Sequence, residues 1–217
     1  MRRTAVRLSG ALLGASLLVA LTGAPAFAST SQTGDSPEST TSVIKIIPMT
    51  FAGYDRAVAE ANGYRIEVDE NGAETSVPVT DEAKAEDATA VTPAALQAQG
   101  RAMAKQLGTV QPQGYDEVEG PCGLSYVDAS HNGLQWVYVR TGYAVTHPVV
   151  SRWWSVWLNG TGGSAGANFN GGATPSVWGG AQNVPMYGGG IAHVTIGSNV
   201  QMTNGGICYS GNPSTWY

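Results

Sequence analysis

The sequence predicts a mainly β protein: a disulfide-closed β-sandwich of immunoglobulin-like or similar topology over residues 118–217, preceded by a small α+β segment. Three observations carry this expectation. Short runs of alternating apolar and polar residues recur through the C-terminal region, separated by glycine-rich turns. The two cysteines of the chain, Cys122 and Cys208, bracket those runs. The composition also changes near residue 118. Residues 29–117 hold fourteen Asp or Glu against six Lys or Arg, a formal balance of −8, whereas from residue 118 onward the balance is zero and all six tryptophans appear.

Residues 1–28 read as a secretory signal peptide. Arg2, Arg3 and Arg7 supply the positive start, residues 8–21 are apolar, and Ala26-Phe27-Ala28 is a small-residue cleavage site. The apolar run is shorter than the roughly 20 residues that a membrane-spanning helix needs. General secretion fits better than the twin-arginine route, because Thr4-Ala5-Val6-Arg7 matches that signal weakly. An extracellular address gives the cysteines their meaning: a lone pair outside the cell forms a structural disulfide more readily than a catalytic thiol with an idle partner.

Residues 29–42 are polar and read as a disordered linker. Residues 43–117 read as an acidic helix-and-hairpin segment ending in a linker from residue 111. An apolar run at 43–47 stops at Pro48. Thr50 is placed to cap a short helix carrying Phe51, Tyr54, Val58 and Ala61 on one face, ended by Asn62-Gly63. Alternation at 64–68, the turn Asp69-Glu70-Asn71-Gly72 and a return over 73–79 predict a hairpin. A second helix over 94–107 has Thr92 as its cap, Pro93 at its first position and Gly108 beyond its end, with a narrow stripe of Leu96, Met103 and Leu107 that requires a partner surface. Two roles are open for this segment: an accessory domain, or a pro-segment that is later removed.

In the C-terminal region, strands are expected over 124–129, 134–145, 150–158, 191–196, 200–202 and 207–210. Gly197-Ser198-Asn199 is expected to turn one strand back on the next, and the glycine-rich stretch 159–172 to be a loop. In the longest run, Val137, Val139, Thr141 and Tyr143 share one face, while Trp136, Tyr138 and Arg140 share the other.

The charge inventory limits function. From Glu119 to the C-terminus only Glu119, Asp128, Arg140 and Arg152 are charged. Glycoside hydrolysis needs a pair of carboxylates facing the sugar, and this region has only Glu119 and Asp128. Ser125, Asp128 and His131 could form a hydrolytic triad, but no serine stands in a G-x-S-x-G elbow, and such a local cluster more often caps a turn. The spacing of the three histidines predicts no metal site, no phosphate-binding glycine motif is present, and the acidic balance disfavours nucleic acid. No cofactor is expected.

What remains is aromatic. In Trp153-Trp154-Ser155-Val156-Trp157-Leu158, strand alternation sets Trp153, Ser155 and Trp157 opposite Trp154, Val156 and Leu158. Trp153 and Trp157 would make a stacking platform for sugar rings if exposed, and core if covered. Trp178, Trp216 and Tyr217 could extend it, and Trp136, Tyr138 and Arg140 are further candidate ligand-binding residues. The expected function is therefore a secreted, non-catalytic module binding carbohydrate or a cell-envelope polymer. The alternatives are a secreted protein ligand, such as a protease inhibitor presenting residues 161–175, and a small hydrolase released from a pro-segment. The expected partners are a polysaccharide or a secreted protein.

Overall fold

The computed structural model describes residues 47–106 and 114–217. The expected signal peptide and linker, the apolar run as far as residue 46, the helix end at Leu107 and Gly108, and residues 111–113 lie outside the described residues.

The segment before residue 107 contains β1 (Thr50–Tyr54), α1 (Arg56–Ala61), β2 (Tyr64–Val68), β3 (Glu74–Pro78), α2 (Asp81–Ala88) and α3 (Pro93–Gln106). The β2–β3 hairpin forms as its turn residues predict. Asp69 Oδ1 accepts from the Asn71 and Ala73 amides at 2.8 Å each, and Gly72 takes a φ of +82° that a side chain disfavours. The first helix is shorter than expected. Thr50–Tyr54 is a strand instead, and Asp55, not Thr50, caps α1, with Oδ1 accepting from the Val58 amide at 3.1 Å. The competing demand is tertiary: β1 pairs antiparallel with a strand near the C-terminus, and that ladder outweighs the helical spacing of Phe51 and Tyr54.

The remaining strands are β4 (Tyr115–Gly120), β5 (Gly123–His131), β6 (Trp136–Val145), β7 (Val149–Trp153), β8 (Ser155–Gly160), β9 (Gly163–Asn168), β10 (Val177–Pro185), β11 (Gly190–Val194), β12 (Asn199–Met202), β13 (Gly206–Tyr209) and β14 (Ser214–Trp216). They form three four-stranded antiparallel sheets: sheet I, β1-β13-β12-β7; sheet II, β14-β11-β8-β9; and sheet III, β10-β6-β5-β4. The protein is thus mainly β and closed by the Cys122–Cys208 disulfide, whose partners lie 86 residues apart. All described residues belong to one compact unit, and β4 runs straight across the compositional step at residue 118.

One core serves all three sheets. Val127, Ala129, Val137, Val139, Tyr143 and Val145 of sheet III face Val156, Leu158, Ala192 and Val194 of sheet II and Val200, Met202 and Cys208 of sheet I. Trp154 lies at the centre, fully buried, and its indole donates to Thr141 Oγ1 at 2.9 Å. The opposite face of sheet III is covered by α3, the partner surface that helix requires. Leu96 is buried there, and Gly100 comes so close that a Cβ would lie 3.0 Å from Leu124 Cδ2 and 3.3 Å from the Ala144 Cβ. Arg101 of α3 pairs with Glu117 and Glu119 of β4. At the other end of the segment, α2 meets the sheets where Asp87 Oδ1 lies 3.2 Å from His147 Nε2, and Glu86 accepts from Tyr64 and Thr203.

Two sequence expectations are corrected here. Residues 159–172 are not a loop: 155–168 form the β8–β9 hairpin, and the segment beyond it is tied back by Arg152–Gly171 and Val149–Thr174 bridges. Glycine is needed within that hairpin because the Trp157 ring lies across Gly166, where a Cβ would stand 2.9 Å from it. Likewise β11 and β12 do not pair through Gly197-Ser198-Asn199. β11 belongs to sheet II and β12 to sheet I, and the turn carries the chain from one to the other.

Candidate functional site

The run 150–158, read as a single strand, is two strands with a hinge at Trp154. β7 ends at Trp153 in sheet I and β8 begins at Ser155 in sheet II. Side-chain alternation survives the break. Trp154, Val156 and Leu158 point inward and are fully buried, while Trp153 is 67 % and Trp157 42 % exposed. Both indoles therefore stand on the solvent side of an outward ridge, one on each side of the hinge. Between them Ser155 is held by its hydroxyl, 2.6 Å from Thr195 Oγ1.

Register extends the ridge into a panel of two rows. On sheet I, Trp153 is opposite Asn199, and Asn199 is opposite Tyr209, which is 39 % exposed; Thr50 of β1 follows. Trp153 and Tyr209 thus flank Asn199 at about 10 Å, two strand spacings. On sheet II, Trp157 is opposite His193, and Ile191 two residues away is opposite Trp216, which is 66 % exposed. That diagonal spaces Trp157 and Trp216 by about 12 Å. Ile196 is exposed in the turn that carries the chain from sheet II to sheet I.

Neighbouring polar groups fix the second row. Trp157 Nε1 donates to Asn159 Oδ1 at 3.1 Å, and Ser164 Oγ donates to the same oxygen at 2.7 Å. The six-membered ring of the indole lies against Gly166 of β9. Burial holds the imidazole of His193, which is paired with both Trp157 and Ser214, below the usual histidine range.

The other sequence candidates lie elsewhere. Trp178 is half-buried: it packs against Tyr143 and Phe169, and the Arg152 guanidinium covers it at 4.4 Å from the ring centroid. Arg140 is buried in an ion pair with Asp128, while Tyr138 lies beside it at 5.9 Å from ring centroid to guanidinium carbon. Burial pushes the Asp128 carboxyl up while Arg140 pulls it down. Trp136 is exposed, but on sheet III. The structure unites Trp153 and Trp157 with Trp216 and adds Tyr209. It does not bring Trp136, Tyr138, Arg140 or Trp178 to the same panel. Tyr209 could not be found from sequence, because its place depends on the β12–β13 register.

The Ser125–Asp128–His131 cluster does not assemble. All three lie on β5, so Ser125 and Asp128 point to opposite faces, and Ser125 and His131 are six residues apart, about 20 Å. Ser125 Oγ accepts from the Gly211 amide at 3.3 Å instead. Among the described residues no group of three His, Cys, Asp or Glu side chains is placed to hold a metal ion, and no helix is long and apolar enough to cross a membrane. No protein-family model matches this chain, and no curated protein or solved structure matches it either.

Proposed function

We propose that this protein is a secreted, non-catalytic binding module that holds a carbohydrate or cell-envelope polymer on the panel carrying Trp153 and Trp157. The observation that supports this reading is the exposure of both indoles on one outward ridge, although the hydrophobic drive to bury them is strong. Rigid aromatic faces, with Asn and Ser donors and acceptors between them, suit the apolar faces and hydroxyl edges of sugar rings. The acidic N-terminal segment is an accessory part of the module. It lends β1 to the edge of sheet I and covers sheet III with α3, so its removal would uncover the backbone edge of β13 and the Leu124 and Tyr126 face of sheet III.

The test is retention on insoluble polysaccharides, comparing the parent protein with Trp153→Ala and Trp157→Ala. The expected result is retention of the parent and a drop of at least about tenfold in affinity for each variant, equivalent to roughly 1.4 kcal/mol. Unchanged retention of both variants, or none by the parent, would count against the reading. Intact mass of the protein from culture medium tests the accessory role: a chain beginning near Ser29 agrees with it, and one beginning after residue 106 does not.

A further inference from the structure

The panel of aromatic rows is unusual in what it lacks. The polar groups between and beside the rings are Asn199, Ser155, Thr195, Asn159, Ser164 and His193. The three charged side chains of the chain from residue 120 onward are all engaged elsewhere. Asp128 and Arg140 are paired on sheet III. Arg152, although next to Trp153 in sequence, lies on the core side of β7. Its Nε donates to the Phe169 carbonyl at 2.8 Å, and its Nη1 donates to that of Gly172 at 3.1 Å. The charges seen at the border of the panel are negative: Asp55 Oδ2 accepts from Gln201 Nε2 at 2.8 Å, two residues along β12 from Asn199, and Asp116 Oδ2 accepts from the amide of Ser214, opposite His193, at 2.8 Å. Beyond it, the segment from residue 29 to 117 carries the formal balance of −8.

Resting on the binding function proposed above, we infer that the ligand of this panel is an uncharged polysaccharide, held at two separate aromatic pairs, and not an anionic envelope polymer. Recognition of phosphate or carboxylate groups along a polymer relies on Arg or Lys forks and on release of counterions. Among the described residues the row Trp153, Asn199, Tyr209 and Thr50 holds no cation, and an anionic chain laid along it would approach the Asp55 carboxylate. A neutral chain loses nothing by that absence, because its hydroxyls need only the Asn, Ser and Thr groups supplied. The two pairs, Trp153 with Tyr209 and Trp157 with Trp216, sit on two sheets that the Ile196 turn connects. They therefore act as two contacts on one extended polymer and not as one pocket.

The experiment measures binding of the full-length secreted chain to a neutral soluble β-glucan, to polygalacturonate and to polyglycerol phosphate, at about 20 mM and about 500 mM NaCl, where screening lengths differ several-fold. The expected result is neutral-glucan binding that changes less than about twofold with salt, with the anionic polymers at least about tenfold weaker. Trp153→Ala and Trp157→Ala each weaken glucan binding by about tenfold, and the double variant by about the product, since contacts this far apart add. Trp157→Tyr retains binding to within about threefold because it keeps a stacking face, and melting curves confirm that every variant is folded. Tight, salt-sensitive binding to an anionic polymer that still depends on Trp153 and Trp157 would overturn this inference and leave the proposed function standing. No binding to any polymer, or binding indifferent to both tryptophans, would overturn both.

Discussion

Replacing Leu96 by Ala tests whether α3 is part of the folded module or a loosely attached appendage. Leu96 is fully buried where α3 lies on β5 and β6, and Gly100, one turn later, allows the helix to sit close against Leu124 and Ala144. A Leu→Ala change at such a site costs about 2–5 kcal/mol, the lost transfer energy plus the cavity left behind. At about 3 kcal/mol, and with about 2–4 °C per kcal/mol for a domain of this size, the melting temperature should fall by roughly 6–12 °C. Near-ultraviolet circular dichroism during a thermal ramp reads this directly. Urea titration should show a lower midpoint with an unchanged slope if the whole unit unfolds together. Gln99→Ala, on the exposed side of the same helix, should stay within about 0.5 kcal/mol. A Leu96→Ala protein melting within about 1 °C of the parent would refute the docking of α3 on sheet III.

Three further predictions follow from other parts of the molecule. Replacing both Cys122 and Cys208 by Ala should lower stability by roughly 4–5 kcal/mol on the chain-entropy model, given the 86-residue separation, as measured by denaturant unfolding. Gly120→Ala places a Cβ 1.9 Å from the Met49 carbonyl oxygen, a backbone atom that cannot step aside, so it should cost about 1–3 kcal/mol and expose the amides around Met49 to hydrogen exchange. His193, held below the usual histidine range by burial, favours the neutral form in the folded state more than in the unfolded one. Its contribution to stability is therefore present above about pH 6.5, the ordinary histidine value, and is lost as pH falls toward its folded value. Imidazole resonances should titrate with a midpoint below 6.5, and His193→Gln should flatten the stability loss between about pH 7 and pH 5. A midpoint at or above the ordinary value would refute this.

The parts of the fold legible in sequence are those whose alternation is undiluted. β6, with Val137, Val139 and Tyr143 inward, and the β2–β3 hairpin, with its Asp69–Gly72 turn, follow their patterns. β9 and β10 were hidden because Gly, Ala, Ser and Asn fill them: in Gly163–Asn168 and Val177–Pro185 the pairing partners, not the side chains, impose extended structure. The short helix α2 was hidden for a different reason. It buries only Ala83 and is fixed by the Thr80 cap and by the contacts of Glu86 and Asp87 with residues far away in sequence. For the site, the outward placement of Trp153 and Trp157 follows from a period of two, which persists through the hinge at Trp154. Exposure itself was beyond that pattern, because a covering layer such as α3 could have lain on either face of the domain. Only tertiary structure places α3 over Leu124 and leaves the tryptophan ridge open.

The claim that the panel is the binding surface is tested most directly by the six indole N–H resonances of protein labelled with ¹⁵N-tryptophan, recorded as a soluble neutral glucan is added. The Trp153, Trp157 and Trp216 signals are expected to shift together and saturate, while buried Trp154 and Arg152-covered Trp178 stay in place. Shifts confined to Trp136, or uniform small shifts across all the indoles, would contradict it.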